Sequence, residues 1–388
     1  PTIHFILPII FIKFSILNVF VYGTQKKQFF MGGKMKKLLT LVILFTSTMA
    51  SAGTLVINSN QSGAAKPAFD AYVAAFSEAH PEVTVVVNEF EHEAYKTAIR
   101  NFLTAEAPDV AIWFAGNRMK FFVDQNLFQD VSDVWADADL NDSMASTKGS
   151  LTVDGKQYGV PWGYYQWGVY YRKDLFDQLG LNVPRDWDEF KWVCAMLKKN
   201  GITPITIGTK FLWTAGGWFD YLNLRINGYQ FHMDLTAGKV SYEDPRLDAV
   251  FDHWRELIDP GYFLEDHASF SWQDAQAPQI NGEAAMYLIG NFYVPTFEAA
   301  GIGDQMDFFQ FPTIYEGVGV AEDAPTDTMH IPSGAKNVED AKKFLAFMSN
   351  KDAATNWAKM AGMLSPNKYA DKPTNRFSIM GAKMLAAA

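Results

Sequence analysis

The sequence of 388 residues contains one cysteine, Cys194, so no disulfide bond can form within the chain. Cys194 lies at helical spacing with Phe190 and Leu197, which predicts a small buried hydrophobic side chain rather than a nucleophile. The sequence also lacks a G-x-S-x-G nucleophile elbow, a Walker loop and, after residue 52, any H-x-x-x-H or H-E-x-x-H pair. These absences predict a protein without a catalytic site, a metal or a cofactor.

An excess of basic residues is absent as well. The chain has 33 Lys and Arg against 43 Asp and Glu, a formal net charge of -10 and an isoelectric point near 5.2. Nucleic acids require a basic patch that neutralises their phosphates, so this balance argues against a nucleic-acid partner. The length allows two domains that each bury a core, and an aromatic content of 15% favours a folded protein with a recognition surface.

Long hydrophobic runs are scarce, but residues 35–52 have the composition of a secretory signal peptide. Two lysines form its basic part, residues 38–45 are apolar, and Ala50-Ser51-Ala52 matches an A-x-A cleavage site. The apolar run is too short to span a bilayer, and no cysteine follows the cleavage site to carry a lipid. We therefore expect a mature protein that begins at Gly53 and lies in the periplasm without a lipid anchor.

Residues 1–34 precede this signal peptide. Their apolar part, residues 3–20, is interrupted by His4 and Lys13. We interpret residues 1–34 as a non-native upstream extension that takes no part in the fold. If they belong to the protein, the prediction changes to a protein that is tethered to the membrane.

After Gly53, apolar and β-branched runs alternate with amphipathic segments, which predicts strands that alternate with helices. Asp186, followed by Glu189 three residues later, and Asn337 mark two helix starts. The alternation predicts the α/β class, with parallel-rich sheets that are flanked by helices and divided into two lobes. The predicted strands include residues 54–58, 83–87, 109–113, 167–171, 202–207 and 284–289.

The segment Tyr158–Phe176 is rich in tyrosine and tryptophan, and it includes three glycines but few aliphatic residues. Aromatic faces beside polar tips suit a sugar ring, which has C–H faces and hydroxyl edges. Further clusters of glycine and aromatic residues follow predicted strands at residues 113–118, 211–220 and 290–292. Because open α/β sheets bind ligands at the carboxyl ends of their strands, these clusters predict one carbohydrate site at a shared edge. For any single tryptophan among them, a place in the core is the alternative.

Six motifs occur in order along the chain: Ala107-Pro108-Asp109-Val110, Tyr158-Gly159-Val160-Pro161, residues 170–176, residues 184–190, Asn281-Gly282-Glu283-Ala284-Ala285-Met286 and the segment Lys336–Met348. In order and spacing, they resemble the carbohydrate-binding proteins of bacterial ABC transporters, the extracellular solute-binding family that includes maltose-binding protein. The resemblance covers residues 53–388. It implies the two-lobed periplasmic-binding-protein fold of type II, with the ligand held between the lobes.

The resemblance also implies the lobe boundaries. The first lobe is expected to comprise residues 53–163 plus 292–333, and the second residues 164–291 plus 334–388. Members of the family continue through further C-terminal helices, so we expect the second lobe to be truncated at Ala388.

In such proteins, tryptophan or tyrosine rings stack beneath the sugar ring while polar side chains bond pairs of hydroxyls. The resemblance implies the same roles here, with no catalytic residue and no metal ligand. For Arg118, pairing with Asp124 is the alternative, and for His330 an ordinary place beside the hinge. The implied stacking residues are Trp113, Tyr164, Tyr165, Trp213 and Trp218, and the implied polar ligands are Asn60, Gln61, Asn117, Arg118, Gln166, Asp220, Asn291, Asp327 and His330.

The function that the resemblance implies is a monomeric periplasmic receptor. It would close on a neutral mono- or oligosaccharide or glycoside and deliver it to an ABC permease with a cytoplasmic ATPase. Two alternatives stay open: a secreted glycosidase or lyase, whose carboxylates would converge from different elements, and the same fold with a polyamine, peptide or iron complex as cargo. Few basic residues accompany the aromatic clusters, which argues against phosphate or sulfate as cargo.

Overall fold

Two β-sheets, each flanked by helices, dominate residues 53–388, the part of the chain that the computed structural model describes. The predicted α/β class is therefore confirmed. The predicted signal peptide at residues 35–52 and the extension at residues 1–34 lie outside the described residues. Within residues 53–388, no helix combines the length and the apolar character that a membrane crossing requires.

The strands begin and end within one or two residues of most of the predicted runs. In chain order they are β1 Thr54–Ser59, β2 Thr84–Glu89, β3 Val110–Phe114, β4 Thr152–Val153, β5 Lys156–Gln157, β6 Val160–Tyr164, β7 Trp167–Arg172, β8 Thr203–Ile205, β9 Ala284–Gly290, β10 Met306–Phe309 and β11 Thr326–His330.

The helices start where the sequence predicts caps. The Asp186 side chain accepts a hydrogen bond from the Glu189 amide at 2.8 Å, and Asn337 caps a later helix in the same way. Cys194 is buried in the helix that Asp186 caps, as predicted. The helices are α1 Lys66–Ala79, α2 His92–Thr104, α3 Asn117–Val123, α4 Ser132–Asp137, α5 Leu140–Ser143, α6 Lys173–Leu179, α7 Trp187–Lys199, α8 Trp213–Ile226, α9 Gly228–Thr236, α10 Arg246–Ile258, α11 Gln276–Ile280, α12 Val294–Ala299, α13 Val338–Ser349, α14 Lys351–Ala361 and α15 Arg376–Ala387.

The two sheets are mixed rather than rich in parallel pairs, which corrects the expectation. The first has the strand order β2-β1-β3-β11-β6, and the second has the order β10-β7-β9-β8. Parallel pairs join β1 to β2, β1 to β3 and β8 to β9. β11 runs antiparallel to β3 and β6, and β7 runs antiparallel to β10 and β9.

The reversed strands are the ones that the chain enters from the other sheet. The chain leaves β6 at Tyr164 and begins β7 at Trp167, and it later leaves β10 at Phe309 and begins β11 at Thr326. A strand that follows such a crossing starts at the edge where its neighbours end, so it must run in the opposite direction. The crossings therefore lie at the carboxyl ends of β3, β6 and β9.

The lobe boundaries differ from the expected ones in two places. Residues 292–309 belong with the second sheet, because β10 pairs with β7. Helices α13 and α14 belong with the first sheet, where the Trp357 ring of α14 stacks on Trp162 of β6 at a centroid distance of 4.3 Å. Only α15 stays with the second sheet, where Phe377 packs against Tyr170. We therefore define the first lobe as residues 53–164 plus 326–361, and the second lobe as residues 167–309 plus 376–387.

A buried ion pair attaches the second crossing, residues 310–325, to the second lobe. Arg225 of α8 and Glu322 of the crossing form this pair, and their side chains are 2% and 1% exposed. The Arg225 guanidinium also donates to the carbonyl oxygens of Ala321 at 2.5 Å and Phe311 at 3.3 Å. The Tyr221 hydroxyl donates to the Glu322 carboxylate at 2.8 Å. Both ends of the crossing are thus held by one helix.

The substitution Glu322→Ala should lower the free energy of unfolding by about 3–5 kcal/mol, because it leaves the Arg225 charge buried without a partner. Urea unfolding followed by circular dichroism measures this loss. The control Asp252→Ala removes an exposed ion pair on α10 and should cost less than about 0.5 kcal/mol. Equal stability of the two variants would contradict the proposed role of the pair.

Candidate functional site

The end of β9 and the start of β7 lie side by side, with Gly290 opposite Trp167. Five aromatic side chains gather at this point, and we call them the aromatic cage. Three of them are only half-buried, so solvent reaches the cage. The cage consists of Tyr165, Trp167, Trp213, Trp272 and Phe292, whose neighbouring ring centroids lie 5.1–6.3 Å apart.

Two glycines allow the rings of the cage to approach the backbone. A Cβ atom at Gly217 would lie 2.6 Å from the Trp167 ring, and one at Gly290 would lie 2.3 Å from the Phe292 ring. No side chain fits at either position, so glycine beside an aromatic residue has a direct steric reason here. Leu212 adopts a left-handed backbone conformation with φ 64°, and this turn places Trp213 at the first position of α8.

Polar atoms without partners line the same region. The indole nitrogens of Trp167 and Trp272 and the Oδ1 atom of Asp327 are buried, and none has a hydrogen-bond partner among the described residues. Leaving such a group unpaired costs about 1–3 kcal/mol. Seven other buried polar atoms of the described residues are unpaired as well, among them Trp218 Nε1 in the interior of the second lobe, but these three lie beside the half-buried rings of the cage. A ligand that both donates and accepts hydrogen bonds would satisfy them.

Three carboxyl groups with raised pKa values lie near the cage. Burial raises the pKa of Asp220 to about 6. It raises the pKa of Asp323 to about 7, and the negative charges of Asp220 and Glu322 add to this shift. Burial also raises the pKa of Asp327 to about 7, although the positive charges of Arg118 and Lys96 oppose it. Near neutral pH, these groups can accept hydrogen bonds as carboxylates or donate them as acids.

The first lobe contributes a charged edge to the cage. The Trp213 indole donates a hydrogen bond to Glu93 of α2 at 2.9 Å, so this contact joins the two lobes. Lys96 donates to both Glu93 oxygens at 2.9 and 3.0 Å, and its ammonium lies 5.3 Å from the Trp213 ring centroid. The Arg118 guanidinium lies 3.8 Å from the ring centroid of Phe114, not against Asp124, which pairs with Lys120 instead.

The structure brings several predicted site residues to the cage or to the charged groups around it. These are Arg118, Tyr165, Trp213, Asp220 and Asp327. They come from α3, the first crossing, α8 and β11, and thus from both lobes.

Other predicted residues lie at the same edge but bond within the protein. Gln61, beyond the end of β1, donates to the Asn60 side chain at 2.8 Å. Asn117 donates to the Thr236 carbonyl of the second lobe at 3.0 Å. The Trp113 indole donates to the carbonyl of Arg118 at 3.1 Å.

Tyr164 and Asn291, also predicted as ligands, hold the chain near the crossings. The Tyr164 backbone pairs with Leu364, through hydrogen bonds of 2.9 and 3.1 Å. The Asn291 side chain is fully buried and donates to the Gly362 carbonyl at 2.8 Å. Both residues therefore attach the segment that follows α14 to the junction of the lobes.

Two predicted ligands, Trp218 and Gln166, lie in the interior of the second lobe, which corrects their expected position. Trp218 is fully buried and packs edge-on against Phe263 with centroids 5.1 Å apart. Gln166 is fully buried and donates to the Tyr170 hydroxyl at 3.3 Å. Neither side chain has a surface that a ligand can reach in this state.

His330, also predicted as a ligand, lies in the interior of the first lobe. Its ring is fully buried and stacks on Phe128 at a centroid distance of 4.3 Å. The ring nitrogens contact the Tyr158 carbonyl at 2.6 Å and the Thr328 hydroxyl at 2.5 Å. Because a carbonyl only accepts, Nδ1 carries the proton and Nε2 accepts from Thr328. Burial lowers the pKa of His330 to about 4, so it stays neutral.

Sequence reasoning missed five residues of the site: Glu93, Lys96, Trp167, Trp272 and Phe292. Trp167 and Phe292 belong to aromatic segments that the sequence analysis identified, but the sequence alone did not show which aromatic side chains of those segments face the ligand and which lie in the core. Glu93 and Lys96 follow a predicted strand at helical spacing, which is a usable signal. Trp272 lies in a loop without any motif.

The family model of the bacterial extracellular solute-binding proteins matches residues 60–355. The chain belongs to this family. Among solved structures, the solute-binding protein is similar to the bacterial solute receptor AcbH, which has an exclusive substrate preference for β-D-galactopyranose. The two are 32% identical, with a TM-score of 0.82, and 87% of each chain is covered. Maltose-bound MalE3 of T. maritima has a TM-score of 0.72 at 20% identity, with 86% of this chain and 87% of that one covered, which shows the shared fold alone.

Curated relatives agree with this membership. An uncharacterised ABC transporter extracellular-binding protein of Pyrococcus horikoshii is 26% identical, over 79% of this chain and 70% of that one. The multiple sugar-binding protein of Streptococcus mutans is 25% identical, over 52% of this chain and 49% of that one.

The raised pKa of Asp323 predicts how its substitution changes stability with pH. A carboxyl that binds its proton more tightly in the folded state loses stabilisation as the pH rises from 3.8 towards 7. Asp323→Asn removes this effect, so it should raise the free energy of unfolding of the solute-binding protein by up to about 4 kcal/mol at pH 8, the full value of a shift from 3.8 to about 7. The gain should shrink as the pH falls to 4. Thermal unfolding of both proteins across this range tests the prediction.

The matched control is Asp252→Asn on the exposed face of α10. It should show no gain that grows with pH. A gain for Asp323→Asn that is equal at pH 4 and pH 8 would assign the effect to packing and not to the buried charge.

Proposed function

We propose that this protein is the sugar receptor of an ABC transporter, which captures a neutral mono- or oligosaccharide between its two lobes. The observation that carries the proposal is the aromatic cage with its unpaired polar atoms. Aromatic faces suit the C–H faces of a sugar ring. Its hydroxyl groups can accept from the indole nitrogens of Trp167 and Trp272 and donate to Asp327.

The relatives support a sugar as the cargo. The receptor at 32% identity prefers β-D-galactopyranose, and the relative from Streptococcus mutans is a multiple sugar-binding protein. The residue types of the cage fit the same class of ligand, independently of these names. Galactose is therefore the first ligand to test.

We propose a mechanism of hinged closure. Residues of both lobes surround the cage, and the Trp213–Glu93 hydrogen bond already joins them. A sugar that contacts both sides would favour the closed arrangement over an open one, because only the closed form makes all the contacts. The permease would then recognise the closed form. No covalent step is part of this mechanism.

The proposed location is the periplasm, after export through the signal peptide at residues 35–52, and the proposed state is a monomer. The family name supports a place outside the cytoplasmic membrane. The permease and its ATPase are proposed partners that the curated ABC-transporter relatives support.

Two substitutions test the cage. Trp213→Ala removes one wall, and we expect it to weaken galactose binding at least tenfold, measured by isothermal titration calorimetry. Trp272→Phe keeps a ring and removes only the indole donor, so it should weaken binding several-fold. The control Trp192→Ala changes an exposed tryptophan of α7 that is 54% accessible, and it should bind like the parent protein.

A panel of neutral mono- and disaccharides extends the test beyond galactose. Binding of one panel member without turnover supports the receptor. Hydrolysis or elimination of a bound oligosaccharide would favour the glycosidase or lyase alternative. Binding of a polyamine or peptide, with no sugar bound, would keep the fold and replace the proposed cargo.

A further inference from the structure

A pocket lies beside the aromatic cage on the side of the first lobe, between α2 and α3. Its volume is about 330 Å³, which is at the lower end for ligand pockets and suits a single sugar unit or a substituent. We call this pocket the annex. Its walls include Lys96, Arg100, Trp113, Arg118, Phe121 and Phe122.

Two guanidinium groups of the annex form no ion pair with a carboxylate of residues 53–388. Lys96 pairs with Glu93. Among residues 53–388, no carboxylate oxygen lies within 4.0 Å of the guanidinium groups of Arg100 or Arg118, the limit for an ion pair. The protein has a net charge of -10, so two cations without an ion-pair partner beside one pocket are unusual in it.

Aromatic rings hold both guanidinium groups. Arg100 lies over Phe121 at 4.9 Å from the ring centroid, and Arg118 lies over Phe114 at 3.8 Å and over Trp113 at 4.9 Å. A guanidinium that stacks on a ring keeps the N–H groups of its edge free to donate. Such an edge matches the two oxygens of a carboxylate or phosphate.

The annex lies beside the cage. Lys96, a wall of the annex, lies 5.3 Å from the Trp213 ring centroid. Arg118 is close enough to Tyr165 and Asp327 for its charge to act on both. The negative charge of Asp323 also acts on Tyr165, and Asp323 in turn interacts with Asp220 and Glu322.

We propose that the annex binds an anionic substituent of the sugar cargo, a carboxylate or a phosphate, while the neutral ring occupies the cage. The inference rests on the proposed function, since it places one part of the same ligand. It departs from the expectation from sequence, in which few basic residues accompany the aromatic clusters, and it replaces a wholly neutral sugar by one that carries an anionic group. Folding brings Lys96 and Arg100 of α2 beside Arg118 of α3.

Four related ligands test the annex: galactose, galacturonate, the methyl ester of galacturonate and galactose 6-phosphate. Calorimetry on the full chain at low and high salt gives the affinity for each. We expect at least one anionic ligand to bind about tenfold tighter than galactose at low salt, with a loss of this advantage at high salt. The methyl ester keeps the ring and lacks the charge, so it should bind like galactose.

Two variants assign the effect to the annex. In Arg100→Gln and Arg118→Gln, the ratio of the anionic to the galactose affinity should fall about tenfold. The control Arg255→Gln removes an exposed arginine of α10 and should keep the parent ratio. Melting temperatures of all three check that they fold.

The outcomes separate this proposal from the receptor itself. If only galacturonate binds more tightly than galactose, the substituent is a carboxylate. If only galactose 6-phosphate does so, the substituent is a phosphate. If galactose binds and no anionic ligand binds more tightly, the proposal for the annex is wrong and the sugar receptor stands. The same holds if both arginine variants keep the higher affinity for the anionic ligand. Failure of all four ligands and of the neutral panel overturns the sugar receptor.

Discussion

The reversed direction of β7 and β11 determines where the side chains of the site lie. Both strands follow a crossing, so both start at the edge where β3, β6 and β9 end. This geometry puts Tyr165, Trp167 and Asp327 next to residues that follow strand ends, such as Phe292. Strands that ran the other way would carry Trp167 and Asp327 to opposite ends of the molecule. The site is thus a consequence of chain topology, and its residues come from segments more than one hundred positions apart.

Several polar groups that the fold leaves without partners lie at the same edge. Unpaired indole nitrogens and carboxyl groups with raised pKa values lower the stability of the folded protein. Elsewhere the protein does pair its buried charges, as Arg225 and Glu322 demonstrate. The contrast supports a binding role, because a ligand can supply the missing partners at the junction, whereas α8 and the crossing supply them for Arg225. Binding and closure would then recover part of the free energy that the unpaired groups cost.

The fold could be predicted from sequence further than the site could. Alternating apolar runs located most strands, and Asp186 and Asn337 marked helix starts correctly. Sequence could not assign α13 and α14 to the first lobe, because that depends on the Trp162–Trp357 contact across a large separation. On α8, Trp213 and Trp218 are five positions apart and point in different directions. Trp213, at the first position of the helix, faces the cage together with Gly217 and Asp220, whereas Trp218 is buried in the core. If the first residue of α8 had been known, the helical periodicity would have placed Trp213 and Trp218 on different faces of the helix.

The charges around the cage constrain what closure can do. Glu93 holds Lys96 and Trp213 together across the lobes, so one carboxylate links the basic and the aromatic parts of the junction. A hydroxyl group that approaches Trp213 from the cage would meet an indole that is already bonded to Glu93. The donors that remain available to a neutral sugar ring are therefore the indole N–H groups of Trp167 and Trp272, and the available acceptor is Asp327. Arg100 and Arg118, which form no ion pair within residues 53–388, lie over the rings of Phe121 and Phe114 in the annex. A ligand with one neutral and one anionic end would have a single orientation in which both ends are paired.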